Sequence, residues 1–118
     1  MSSIEEAEYI RATLCQADDT FWMLFRALGD CVRYRMTKVM LRYRRMAVSD
    51  LARITAVSVP AASQHLRVLE RAGLVSRKRL GRSVIYELRE DDVYVGRIID
   101  LIDLWINERS LHGIPTAA

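Results

Sequence analysis

Residues 48–88 read VSDLARITAVSVPAASQHLRVLERAGLVSRKRLGRSVIYEL, and the order of patterns in this stretch decides the fold. Residues 48–55 predict a short helix with Leu51, Ala52 and Ile54 facing inward, and Ala56-Val57 supplies a tight connection. Ser58 is a good N-cap, and Pro60 costs no hydrogen bond in the first turn of the helix that follows. In that helix Val59, Ala62, Leu66, Leu69 and Gly73 fall on one face at 100° per residue, with Pro60, Gln64, Arg67, Val68 and Arg71 opposite them. Ala61, Ser63 and His65 lie on the flanks. After Gly73 the period changes to two, through residues 74–79 and 84–88, which predicts a two-stranded hairpin turning at Gly81. Short helix, tight turn, Ser-capped helix and basic hairpin together spell a winged helix-turn-helix, mainly α with a small β-hairpin.

The face opposite the buried stripe has the chemistry of a base-reading surface. Gln64 can pair bidentately with adenine, Ser63 can meet either kind of base, and Pro60 and Ala61 can touch a thymine methyl. Ser58 and His65 lie beside them, while Arg67 and Arg71 sit further along, where phosphates run. The hairpin adds Arg77, Lys78, Arg79 and, at its tip, Arg82. Taken singly, Gln64 or His65 reads equally well as a solvated surface residue, and a cluster such as Arg42, Arg44 and Arg45 as a solvated helix face. The layout of the whole block outweighs that reading. From Arg33 to Arg82 thirteen Lys or Arg face only Asp50 and Glu70, a local excess of eleven positive charges in a chain whose net charge is +3. A basic block between acidic ends is the footprint of a polyanion-binding surface, so double-stranded DNA is the expected partner. A membrane surface fits less well, because no helix in the block sets Lys and Arg against large apolar groups beyond what core packing needs.

Working outward, residues 5–28 predict helix through Ile10, Leu14, Ala17, Phe21, Leu24, Phe25 and Leu28, with Thr20 placed to cap a second segment after Asp18-Asp19. Gly29 ends that stretch and Asp30 caps the next helix, whose stripe is Val32, Met36, Val39 and Met40 and which stops near residues 42–45. Residues 91–108 form a last helix, capped by Asp91 or Asp92, on which Tyr94, Val95, Ile98, Ile99, Leu101, Ile102, Trp105 and Ile106 cover a sector of roughly 160°. Residues 111–118 read as a frayed tail. The length of 118 residues suits one domain over 1–118, with 30–90 as helix-turn-helix and wing between helical segments 5–28 and 91–109. No apolar run approaches the roughly 20 residues that cross a bilayer, and the acidic start is not signal-like, so the cytoplasm is expected. Enzyme chemistry is not expected: there is no Gly-rich phosphate loop and no nucleophile with a base, and the two histidines fall in the helix-turn-helix and the tail.

From Phe25 to Leu88 the chain resembles the ArsR/SmtB family of winged-helix repressors. The matching stretches are residues 25–30 (FRALGD) with Arg33, 48–52 (VSDLA), 63–69 (SQHLRVL), 72–75 (AGLV) and 81–86 (GRSVIY). The resemblance implies a homodimer that pairs through its N- and C-terminal helices, binds an imperfect palindromic operator and is released by an inducer. Many members sense metal through a Cys-x-Cys element just before the Asp-Leu-Ala helix. Here that place reads Arg45-Met46-Ala47-Val48-Ser49, and the last helix offers only Asp100, Asp103, Glu108 and, beyond it, His112, so no metal site and no cofactor is expected. Cys31 stands where members often have Pro, in the first turn of a helix beside Arg33 and Arg35, which favours a reactive thiol; a redox or thiophilic-ligand sensor at Cys31, with Cys15 as second thiol, is a candidate weighed against two packing cysteines. An activator is open beside the repressor. The competing class is a winged-helix protein-interaction module that does not touch DNA.

Overall fold

The computed structural model of the chain describes residues 3–15 and 19–109, with the side chains of 15, 19, 20 and 104–109 outside that description. Among these residues the order is α1 (Ile4–Cys15), α2 (Asp19–Leu28), α3 (Cys31–Tyr43), β1 (Arg45–Ala47), α4 (Val48–Thr55), α5 (Val59–Arg71), β2 (Val75–Leu80), β3 (Ser83–Leu88) and α6 (Val93–Arg109).

Helix α3 is the hub. Asp30 starts it, its carboxylate accepting from the Val32 and Arg33 amides at 2.9 and 3.0 Å. Met36 and Met40 are fully buried, and so is Thr37, whose hydroxyl is satisfied by the Arg33 carbonyl at 2.9 Å. Around α3 close Leu24 and Ala27 of α2, Leu51 and Ala52 of α4, Ala62, Leu66 and Leu69 of α5, and Val95, Ile98, Ile99 and Ile102 of α6. Each fully buried leucine contributes about 2 kcal/mol by leaving water, so this stripe-on-stripe packing fixes α5 against the rest. Asp92 caps α6, accepting from the Tyr94 and Val95 amides at 2.9 and 3.0 Å, which settles the choice between Asp91 and Asp92.

Helix α1 does not join that core. Every described residue with a placed side chain on it is exposed, Tyr9 (74%) and Leu14 (67%) among them, and on α2 Trp22 and Phe25 are exposed too. The radius of gyration is 17.4 Å, against about 13 Å for a compact domain of this size.

The structure differs from the sequence expectations at several places. The hairpin is completed to a three-stranded antiparallel sheet in the order β1-β3-β2, with Met46 opposite Tyr86. Three residues are too few to show alternation, so β1 left no signal in the sequence. Helix α2 begins at Asp19, one residue ahead of the expected cap Thr20. Ile54 and Val59, expected inside, are about half exposed, and Leu101 of α6 is 68% exposed, while Val68, expected on the open side of α5, packs partly buried against the core. Val68 is covered because α5 packs against α2 and β2 as well as against α3 and α4, contacts a helical projection does not show. The expected break at Asp18, the tail from Leu111 and the side chains of Cys15, Trp105 and Ile106 lie outside the described residues.

Candidate nucleic-acid interface

Helix α5 is held at both ends and along one side, leaving the other side open. The Ser58 hydroxyl accepts from the Ala61 amide at 3.2 Å, and Pro60 sits in the first turn. At the far end the Leu74 amide reaches the Leu69 carbonyl and the Gly73 amide the Glu70 carbonyl, both at 3.0 Å, with Gly73 at φ +86°. This is the left-handed ending that glycine supplies without a Cβ penalty. Ala62, Leu66 and Leu69 bury the inner side; Ser58, Pro60, Gln64, Arg67 and Arg71 are exposed, with Ala61 and Ser63 half-buried on the flanks.

Gln64, Arg67 and Arg71 line one side of an open trough of about 590 Å³ whose other side is Arg77 of the wing. The sequence placed these four residues at one surface, and the structure brings them together. It also brings in Glu70, three residues on from Arg67, which the sequence reading counted as a charge but gave no role. The buried ring behind the trough is Tyr86, opposite Arg77 in the register. Burial pushes its hydroxyl above the usual tyrosine range, and the Glu70 carboxylate pushes the same way, while Arg77, hydrogen-bonded to it, and Arg67 pull it back.

Strands β2 and β3 close tightly. Leu80 pairs with Ser83, so Gly81 and Arg82 alone make the turn, and only Gly81, at φ +62°, takes the positive φ that such a turn needs at its first position. Arg82 is exposed at the tip. Strand alternation divides the other basic residues. Arg77 and Arg79 share the face of their partners Tyr86 and Val84, on the α5 side. Lys78 stands on the reverse face, its ammonium 4.0 Å from Glu87, which also pairs with Arg45 at 3.2 Å. The structure therefore separates Lys78 from the expected interface set.

His65 is separated as well. Its side chain is only 24% exposed and turns toward α3, with Nδ1 3.2 Å from Arg33 Nη1 and 3.9 Å from Asp30. A guanidinium only donates, so Nδ1 accepts and a neutral ring carries its proton on Nε2. Arg33 also donates through Nε to the Ala27 carbonyl at 2.7 Å, tying α2, α3 and α5 at one point. Asp30 is held below the usual carboxylate range, chiefly by the Arg33 amide hydrogen bond and, against the cost of burial, by the Arg33 charge and the Val32 amide. The sequence reading missed this tie because His65 lies 32 residues from Arg33 in the chain.

Cys31 is exposed in the first turn of α3. The place where a metal-sensing relative would carry thiolates is strand β1, where Met46 is buried and Arg45 is paired. Among the described residues no three His, Cys, Asp or Glu side chains come together to hold a metal ion, and no helix is long and apolar enough to cross a membrane. These residues do not fit a thiolate metal site.

A Ser-capped helix presenting Gln64, Arg67 and Arg71 beside a basic two-stranded wing defines a winged helix-turn-helix regulator. Comparison with known proteins gives it a family. Residues 30–77 match the bacterial regulatory protein, arsR family. Over 92 residues the chain is 33% identical to a transcriptional repressor SmtB homolog of Synechocystis, covering 76% of this chain and 69% of that one. It is 29% identical over 94 residues to the arsenic resistance transcriptional regulator ArsR1 of Pseudomonas putida, covering 75% and 73%. Among solved structures, reduced HlyU from Vibrio cholerae superposes with a TM-score of 0.63 at 26% identity, over 86% of this chain and 97% of that one. A homodimeric winged helix-turn-helix DNA-binding domain from Mycobacterium bovis superposes with a TM-score of 0.64 at 23% identity, over 99% and 98%, which supports the fold. The chain belongs to the arsR family of bacterial regulatory proteins, DNA-binding transcriptional regulators that are not enzymes.

Proposed function

We propose that the protein works as a cytoplasmic homodimer that represses transcription by laying α5 in the major groove of an imperfect palindrome, and that an inducer releases it. The observation that carries the reading is the trough, in which Gln64, Arg67 and Arg71 of α5 face Arg77 of the wing on an otherwise open surface. Gln64, Ser63, Pro60 and Ala61 read base edges, and Arg67, Arg71, Arg77, Arg79 and Arg82 hold phosphates, with Ser58 ordering the N-terminal turn. The domain divides accordingly: residues 30–90 carry the DNA-binding unit, and segments 5–28 and 91–109 carry the dimer. A twofold pairing sets the two recognition helices one turn of duplex, about 34 Å, apart.

The test is duplex binding as a function of salt. Each phosphate neutralised contributes a slope of about −0.9 in log K against log salt. Arg67→Glu with Arg82→Glu is expected to weaken binding by 100-fold or more and to flatten that slope. Unchanged affinity in the double variant refutes the reading. A sensory role for Cys31 rests on its exposure, and Cys31→Ser checks it: DNA release by mild oxidant that persists in the variant removes the cysteine from the mechanism.

A further inference from the structure

Behind the trough, on the other flank of α5, lies a second hollow of about 350 Å³ between α2, the first turns of α3 and the end of α5. Three guanidinium groups border it: Arg26, Arg33 and Arg71. Its floor is made by the small side chains of Ala27 and Ala72, both buried, and its apolar walls by Met23 and Val68. No carboxylate lines it among the described residues, and Asp30, which acts on Arg33, is occupied in capping α3.

Of the three arginines Arg33 is the most firmly held before anything arrives. Arg33 donates to the Ala27 carbonyl and meets His65, Arg71 Nε reaches the Arg67 carbonyl at 3.4 Å, and Arg26 lies 5.8 Å over the Trp22 ring. Side chains already ordered lose little freedom on binding an anion. The volume falls at the small end of the range for small-molecule sites, which are apolar with a few fixed polar groups.

We propose that this hollow is an effector site for a small organic anion with one oxyanion head and an apolar body. Guanidinium pairs take a carboxylate or phosphate head bidentately, and Met23, Val68 and the two alanines take the body. Arg71 borders both this hollow and the DNA-facing trough, so an anion that draws in its guanidinium removes it from the phosphates. Occupancy therefore lowers DNA affinity. This coupling rests on the proposed DNA reading, whereas binding of the anion to the free protein does not.

The probe is 1-naphthoate, with neutral 1-naphthalenemethanol and inorganic phosphate as its two halves. On the full chain without DNA, naphthoate is expected to shift the Met23 methyl resonance saturably, and each half to bind at least tenfold more weakly. Arg26→Gln, at an exposed residue with no part in the DNA surface, is expected to weaken naphthoate about tenfold while leaving DNA affinity within twofold. With the wild type on a duplex, saturating naphthoate lowers affinity about fivefold or more, and by linkage DNA weakens naphthoate by the same factor. Absence of a saturable Met23 shift at millimolar naphthoate, or equal binding by Arg26→Gln, overturns the site. Phosphate binding as well as naphthoate overturns the apolar part. Loss of DNA affinity in Arg26→Gln without probe shows a DNA phosphate contact instead. If naphthoate binds but no duplex does, the DNA reading fails and the site stands.

Discussion

The open side of α5 and the outer side of α1 are both helix faces left bare by the subunit, yet they are bare in opposite ways. On α5 the exposed groups are an amide and guanidiniums, Gln64, Arg67 and Arg71, on a helix pinned by Leu66 and Leu69 behind them. On α1 the exposed groups include Ile4, Tyr9, Ile10 and Leu14, and no side of the helix is pinned at all. A solvated helix of twelve residues is marginal in water, so α1 needs cover, whereas α5 does not. Cover by a second copy is the arrangement proposed above for the dimer, and the apolar side chains of α2 and Leu101 of α6 add to the same kind of surface. The contrast implies that a partner on the α1 face is held by burial, which salt hardly touches, and a partner on the α5 face by charge, which salt screens.

The largest expected effect follows directly. Ile10→Glu with Leu14→Glu should convert the dimer to monomer by sedimentation and weaken operator binding about 100-fold, because the second half-site then loses its tether. The wild-type dimer should persist in 1 M salt while its DNA binding disappears. A wild-type dimer that salt dissociates would reverse the assignment of the two faces. A smaller change sharpens the charged side. Among the described residues Glu70 is the one acid lining the trough, beside three arginines, and on the proposed reading it faces the same phosphates. Glu70→Gln is expected to raise duplex affinity about threefold at low salt, with the gain fading as salt rises. A loss of affinity would mean that Glu70 instead orients Arg67 or Arg71.

Between the two faces stands the junction of Asp30, Arg33 and His65, and its contribution depends on pH. Asp30→Ala should cost about 1 kcal/mol at neutral pH, measured by denaturant unfolding at fixed protein concentration. Asp30→Asn keeps a neutral cap and isolates the charge. Because the folded carboxyl is held below its ordinary range, its charge stabilises fully above the unfolded-state value and the benefit is lost as pH falls through the folded one. The wild type should therefore lead the Asn variant near neutrality and converge with it below about pH 4. A gap that widens in acid would contradict this sign.

How much of this was legible in the sequence follows the range of the interactions. Periodicity located α3, α4, α5 and the β2-β3 hairpin, and the caps Asp30 and Ser58 lie where their side chains could be read locally. Strand β1 was invisible because pairing with β3, about forty residues away, makes it a strand. The tie of His65 to Arg33 was invisible for the same reason, since a flank position on a helix projection says nothing of the neighbour it meets. The face on which Lys78 stands could not be read without the strand register, which sends it to the side of Glu87 rather than of Tyr86.

The smallest predicted effect compares the ends of the two helices in the helix-turn-helix. After α5, the Gly73 and Leu74 amides return to the carbonyls three and five residues back. After α4, the Ala56 and Val57 amides do the same, to Arg53 at 3.3 Å and Ala52 at 3.0 Å. The two endings share one hydrogen-bond pattern and a left-handed residue, but at Gly73 it is glycine at φ +86° and at Ala56 it is alanine at φ +58°. A Cβ in this region costs about 1–2 kcal/mol, and glycine gives back about 0.5–1 kcal/mol through the freedom it has when unfolded. Ala56→Gly is thus expected to stabilise the fold by about 0.5 kcal/mol, seen as a higher denaturant midpoint at unchanged slope. Since Ala56 is exposed and outside the trough, duplex affinity should stay within twofold. A destabilised variant would show that the alanine methyl packs in the dimer, and a loss of duplex affinity that it packs on DNA, so that the turn is tuned for more than chain reversal.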